Sequence, residues 1–341
     1  MKRIVRFLFV SLLAVSLVAC GSDKKEESAG GDKESKDTYQ VGVAIYKFDD
    51  AFMTNYRNEL QSYFEELGEK NGVTYEVTVM DGKNDQGEQQ NQIENFIAQD
   101  VDIIIANLVE PATADIIIKK CQEAEIPIVF INREPDEAVL DAYEGKAVYV
   151  GADAKQSGEF QGEMVAELEN KGDFNGDGTL GYVMIQGDVQ NIDAKLRTEF
   201  SVSKYKEVSK MPVEELYIGR GDWDQTKGQE IAATALNQYG DKIDVIFCNN
   251  DNMAIGALQS IKSAGRTVGK DIALVGVDAL DEAVQAVIDG EMTGTVLNDA
   301  VGQSHAAVDA AIKLLNGESI DKYEIVDYIK YNKAYADEHA E

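Results

Sequence analysis

Aspartate and asparagine recur in this sequence directly after short apolar runs. They stand in Tyr46-Lys47-Phe48-Asp49-Asp50-Ala51-Phe52, in Asn107-Leu108-Val109-Glu110-Pro111 and in Asn132-Arg133-Glu134-Pro135. They return in Asn249-Asn250-Asp251-Asn252, Val277-Asp278-Ala279 and Leu297-Asn298-Asp299-Ala300. A carboxylate only accepts hydrogen bonds, whereas an amide both accepts and donates. Each hydroxyl of a neutral sugar does both, so a sugar site needs this mixture. Hydrogen bonds with one charged partner are the stronger kind, roughly 1.5–3 kcal/mol. A pyranose also has an apolar C–H face that packs on an aromatic ring. Trp223 is the sole tryptophan and sits in the polar stretch Gly221-Asp222-Trp223-Asp224, an unusual place for a core indole. Phe52 is a candidate for the opposite face of the sugar, and reads equally as a core residue of the first helix. One Asp before a helix is an ordinary N-cap. Six such clusters after strands are harder to explain by capping alone.

Other chemistries find less support. With only 2 histidines, His305 and His339, no Ser-His-Asp set is available. Neither a G-x-x-x-x-G-K-[ST] loop nor a G-x-G-x-x-G after the first strand is present. Asp50 and Asp278 leave a glycosidase pair open as the enzymatic alternative. Asp173-Phe174-Asn175-Gly176-Asp177-Gly178-Thr179 matches the start of a calcium loop, D-x-N-x-D-G. Oxygens at alternate positions would wrap the cation and Gly178 would allow the turn. The twelfth position is Met184 rather than Glu, so the loop alone is incomplete, and a polar turn without metal is the alternative.

The elements that must position these residues alternate. The strands read as Gln40–Tyr46, Tyr75–Asp81, Val101–Leu108, Pro127–Asn132, Val148–Asp153, Gly181–Gln186, Glu214–Ile218, Asp244–Asn249, Ile272–Asp278 and Thr293–Leu297. Segments of helical period lie between most of them. The strands are nearly continuous in Val and Ile, which indicates burial on both faces and a parallel sheet. Strand–helix alternation gives doubly wound α/β layers. The chain of 341 residues is long enough for two such lobes. Residues 39–126 plus about 298–328 are assigned to the first lobe, and 127–297 plus about 329–341 to the second. In such sheets ligands collect at the carboxyl ends of the strands, where the acids and amides stand.

The start of the chain has a different character. Lys2, Arg3 and Arg6 precede an apolar run, Phe7 to Val18, too short for a comfortable membrane span. It ends in Leu17-Val18-Ala19-Cys20-Gly21, which resembles the bacterial lipobox. Residues 1–19 are therefore expected to be a lipoprotein signal peptide, with Cys20 as the lipid acceptor. Residues 20–38 carry no large apolar residue before Tyr39 and read as a flexible tether. A chain so led is expected on the outer face of the cytoplasmic membrane, held by lipid. Cys121 and Cys248 read as buried free thiols. The 62 acidic against 32 basic residues give a formal charge of −30. That charge disfavours nucleic acid and anionic lipid surfaces and suits a neutral or cationic ligand, though solubility alone also explains it.

Taken together, YKFDDAFM, NLVEPA, NREP, VGADAKQSG, DFNGDG, NNDNMAIGA, GVDAL and GTVLNDA resemble, in order, the galactose/glucose-binding proteins of bacterial sugar ABC transporters. The resemblance runs from about Val41 to Asn316. It implies a monomeric two-lobe clamp with a hinge of three crossing segments, a monosaccharide between the lobes and no enzymatic activity. Asp50 would accept from a sugar hydroxyl, and Phe52 and Trp223 would sandwich the ring. Asn107, Asp193, Arg197, Asn250, Asp278 and Asn298 would complete the polar ring. Asn191 stands where the family usually has a histidine, which affects sugar preference rather than the general function. The resemblance also implies structural Ca2+, held by Asp173, Asn175, Asp177 and Thr179 with Asp244 as the remote acid. Its implied partners are an ABC permease and, in addition, a chemoreceptor reading the closed form. Same-fold receptors for ribose, xylose or a furanose are the runner-up reading.

Overall fold

The structure is a computed structural model that describes residues 36–339. The expected signal peptide, Cys20 and nearly all of the expected tether lie outside the described residues.

Two parallel α/β sheets form the frame. In the first, β1 (Thr38–Ile45) lies between β2 (Thr74–Asp81) and β3 (Ile103–Ala106), followed by β4 (Ile128–Ile131), β5 (Ala147–Gly151) and β11 (Tyr323–Ile325). In the second, β6 (Leu180–Gln186) lies between β7 (Val213–Arg220) and β8 (Val245–Cys248). Then come β9 (Ala273–Val275), β10 (Gly294–Leu297) and β12 (Ile329–Asn332), the last antiparallel to β10.

The strand composition follows from burial on both faces. Val43, Ile105, Val129 and Val150 face one core of the first lobe, while Ala44, Ile104, Phe130 and Tyr149 face another. The second sheet is covered the same way, with Val183 and Ile246 on one side and Met184 and Phe247 on the other. Each such side chain contributes about 1.5–3 kcal/mol on burial, so a strand without polar positions is stable only between two helical layers. Cys121 and Cys248 are buried free thiols in the cores of different lobes, which rules out a disulfide between them.

The expected lobe boundary at residue 127 is corrected by the sheet order. β4 and β5 complete the first sheet, so the chain leaves the first lobe only after Gly151. It returns after Leu297, because the helix Ala300–Leu315 packs on the helix Ala51–Asn71 of the first lobe. It crosses once more between β11 and β12. These three crossings, at 152–153, 298–299 and 326–328, are the segments about which the lobes would turn. At the last of them Tyr328 N–H donates to the side-chain oxygen of Gln156 at 2.7 Å.

Candidate functional site

The carboxyl ends of both sheets converge on one cavity. Asp50, Phe52, Asn191, Asp193, Arg197, Trp223, Asn250, Asp278 and Asn298 all line it.

Asp50 is the N-cap of the helix Ala51–Asn71. One oxygen accepts from Met53 N at 2.8 Å and the other from the Tyr46 hydroxyl at 2.5 Å. Phe52 lies in the first turn of that helix, 6% exposed, with its ring tilted against Tyr56. It is thus a core residue and a cavity wall at once. Asn191 caps the helix Ile192–Ser209 by accepting from Asp193 N at 2.8 Å. Asn250 caps the helix Asp251–Ser263 by accepting from Met253 N at 3.1 Å. The capping and lining roles coincide at Asp50, Asn191 and Asn250.

Asp193 and Arg197 share a helix face and stand 3.9 Å apart. Arg197 donates to the Asn249 carbonyl at 2.8 Å and to the Tyr328 hydroxyl at 2.9 Å, and its guanidinium lies 5.9 Å from the centre of the Trp223 ring. Its Nε is buried without a partner. Burial opposes the charge, but Tyr328, Asp193 and Asp278 outweigh it and hold Arg197 protonated.

Trp223 has φ of 67° and follows Asp222 at φ 49°. Two consecutive non-glycine residues in the left-handed region are uncommon and store strain of about 1–3 kcal/mol each. The turn sets the indole against Gly187, where a Cβ would come within 2.2 Å of the ring. Only glycine lets the backbone lie so close. Asp278 has φ of 120° and accepts from Asn298 Nδ2 at 3.2 Å, while Gln303 donates to Asn298 Oδ1 at 2.5 Å. Burial, with help from Asp50, raises the Asp278 carboxyl to about 7 against the pull of Arg197. Burial also raises Asp193, against Arg197 and Arg133.

Asn107 departs from expectation. It is fully buried and does not reach the cavity. Its oxygen accepts from Tyr46 N at 3.4 Å, and its amide donates to the Ile131 carbonyl at 3.2 Å and the Asn132 side chain at 3.1 Å. The place facing the cavity is taken by Asn132, which has φ of 60°, and by Arg133. Arg133 donates to the Val109 carbonyl at 2.8 Å and stacks 3.7 Å from the Tyr46 ring centre. Tyr46, Met53, Asn132 and Arg133 are therefore lining residues absent from the expected set. The Asn132-Arg133 pair at the end of an apolar run is the available signal for two of them.

The loop from Asp173 to Thr179 is closed by hydrogen bonds. Asp244, fully buried, accepts from Phe174 N at 2.9 Å, Asn175 N at 3.2 Å, Gly181 N at 2.8 Å and Asn175 Nδ2 at 3.4 Å. Asp173 accepts from Gly176 N and Gly178 N at 2.7 and 2.9 Å. Both Asp244 oxygens are thus turned to N–H groups, and Gly181 offers no side chain. Among the described residues no group of three or more His, Cys, Asp or Glu side chains is gathered to hold a metal. This donor arrangement does not fit a calcium ion.

The comparisons with known proteins agree with this geometry. The periplasmic binding protein domain family matches residues 41–319. The chain is 35% identical over 297 residues to the D-galactose/methyl-galactoside binding periplasmic protein of Haemophilus influenzae, covering 85% of this chain and 86% of that one. It is 33% identical to a putative rhizopine-binding protein of Rhizobium meliloti, covering 86% and 90%. A solute-binding protein of an ABC transporter from Bacillus halodurans, solved with bound myo-inositol, superposes with a TM-score of 0.76 at 29% identity, covering 88% and 96%. The chain therefore belongs to the periplasmic binding protein family, whose members bind solutes rather than transform them.

Proposed function

We propose that the protein captures a neutral polyhydroxylated six-membered ring between its lobes and delivers it to an ABC permease. One observation carries this reading. Three carboxylates, four amides, two guanidiniums and three aromatic rings face one cavity at the carboxyl ends of both sheets. Asp50, Asp193 and Asp278 would accept from hydroxyls, while Arg197, Asn250 and Asn298 would donate. Phe52 and Trp223 would cover the apolar ring faces. Galactose or glucose is the first ligand proposed, supported by the galactose-binding relative. A cyclitol is the second. It is supported by the relative solved with myo-inositol.

Calorimetric titration of the protein with galactose, glucose, ribose and myo-inositol tests this. A micromolar or tighter constant, roughly −8 kcal/mol, is expected for galactose or glucose. Heat with myo-inositol alone transfers the assignment to cyclitols. Heat with ribose alone removes both the hexose and the cyclitol.

The proposal extends to the lipid anchor at Cys20. Replacing Cys20 with Ser should move the protein from the membrane fraction to the soluble fraction. Unchanged fractionation sinks the anchor.

A further inference from the structure

Arg197 is the guanidinium that the second lobe presents to the ring cavity, and among the described residues two hydrogen bonds hold it. One runs to the Asn249 carbonyl at 2.8 Å and the other to the Tyr328 hydroxyl at 2.9 Å. Asp193 stands 3.9 Å away, beyond hydrogen-bond reach, and Arg197 Nε has no partner. Tyr328 is therefore the one side chain that fixes where this guanidinium points. Its ring centre lies 5.9 Å from the guanidinium carbon, as does that of Trp223. Tyr328 itself does not line the cavity.

Tyr328 also belongs to the hinge, at the end of the third crossing, 326–328. Its N–H donates to Gln156 Oε1 at 2.7 Å, and Gln156 Nε2 donates to Asp327 at 3.4 Å. Gln156 stands in the first turn of the helix Ala154–Ala166, directly after the first crossing. The Tyr328 ring is buried with Val275 and Val296 in a core of the second lobe. The crossing can thus turn on the first-lobe side of Tyr328, while Tyr328 is its moored end. Burial pushes the Tyr328 hydroxyl up to about 12 against the pull of Arg197, so at neutral pH it is an uncharged phenol whose oxygen accepts from the guanidinium.

Resting on the reading of the cavity as a ring site, we infer that Tyr328 is a positioning residue for ring capture, one phenol holding both the Arg197 guanidinium and the moored end of the third crossing. Occupying the cavity and turning the crossing then act on the same side chain. A ring hydroxyl that accepts from Arg197 confines the guanidinium to one orientation, which favours its bond to Tyr328 and stiffens the crossing. The coupling is reciprocal, so loosening the phenol weakens the hold on the ring.

The test is a double-mutant cycle, read by calorimetry on the full chain with galactose, glucose and myo-inositol. Tyr328→Phe keeps the aromatic ring and removes the acceptor. It should weaken the bound ring at least tenfold in the parent. In an Arg197→Lys background, which lacks the guanidinium, the same change should weaken it less than twofold, because the phenol acts through Arg197. A residue that only stabilised the fold would lower the melting temperature and leave affinity alone. Hydrogen exchange gives a second readout. Ring binding should slow exchange of the backbone amides at 326–332 at least threefold in the parent and less than twofold in Tyr328→Phe. Equal affinity losses in both backgrounds overturn the inference. So does a folded Tyr328→Phe that binds within twofold of the parent. If Arg197→Lys leaves no measurable binding, exchange decides, and equal slowing in the parent and Tyr328→Phe overturns it. If the melting curve shows that Tyr328→Phe does not fold, Gln156→Leu, which leaves the Tyr328 N–H without its acceptor, replaces it in both measurements. A parent that binds none of the three rings removes the reading of the cavity itself, and the role of Tyr328 with it.

Discussion

The Tyr46 hydroxyl donates to Asp50 Oδ2 at 2.5 Å, and this bond ties the end of the first strand to the cap of the first helix. The same phenol ring carries the Arg133 guanidinium on its face at 3.7 Å. Tyr46→Phe keeps the ring but removes the donor. A bond to a charged acceptor contributes roughly 1.5–3 kcal/mol, so affinity for the bound ring should fall about tenfold as Asp50 loses its fixed orientation. Calorimetry checks this, and an unchanged constant would show that the Met53 amide alone orients Asp50.

Trp223 offers two readouts, because it is the sole tryptophan. Trp223→Ala should weaken ring binding about tenfold or more, through lost stacking and lost area. In the unaltered protein its fluorescence should change on ligand addition. A saturating ligand that leaves the emission spectrum unmoved would remove the stacking role.

Asn107 and Asn298 should separate stability from binding. Asn107 is fully buried with its hydrogen bonds inside the first lobe, so Asn107→Ala strands buried partners at a cost of about 1–3 kcal/mol. Its melting temperature should drop by several degrees. Asn298→Ala should instead show mainly a loss of affinity. Equal affinity losses in the two variants would return Asn107 to the ligand.

The Asp173–Thr179 loop should not need calcium. A chelator is expected to leave the melting temperature within a degree of its starting value. Asp244→Ala leaves the Phe174, Asn175 and Gly181 amides without their acceptor and should cost about 2 kcal/mol or more. A clear drop in melting temperature on chelation, restored by added Ca2+, would sink the hydrogen-bonded loop.

Asp278 gives a pH dependence with a definite sign. Its carboxyl is raised to about 7 in the folded protein from the ordinary value of 3.8. Between those values the native state holds a proton that the unfolded chain has lost. Its contribution to stability is therefore full below about pH 4 and is lost as pH rises to about 7, falling by about 1.4 kcal/mol with each pH step of one in between. Asp278→Asn should flatten the stability of the ligand-free protein over that range relative to the parent. Parallel curves for the two proteins would show that Asp278 ionises normally.

Much of the fold is legible in the sequence because strands buried on both faces leave long Val and Ile runs between helical segments. β4 and β5 read as strands, yet their composition alone places them in the wrong lobe. Nothing in Ile128–Ile131 or Ala147–Gly151 distinguishes the last strands of one sheet from the first of another, since all need the same apolar composition. β11 and β12 escape notice because they are short and lie at sheet edges, with Ile325 and Ile329 exposed. The same logic applies to the cavity. Asn107 and Asn132 are the same residue type at equivalent strand ends, yet Asn107 is bonded inside the first lobe while Asn132, with φ of 60°, lines the cavity. Capping and lining cannot be told apart in the sequence, because Asp50, Asn191 and Asn250 do both.

The late return of the chain has a consequence for how the molecule is made. The first sheet is unfinished until β11, residues 323–325, has been synthesised, and its opening helix lacks its partner until Ala300–Leu315 exists. An amino-terminal half emerging from the ribosome therefore has no complete core to settle into. Such distant pairings slow folding. The first lobe closes only when the end of the chain arrives, and neither lobe can be cut out at a single point and be expected to stand alone.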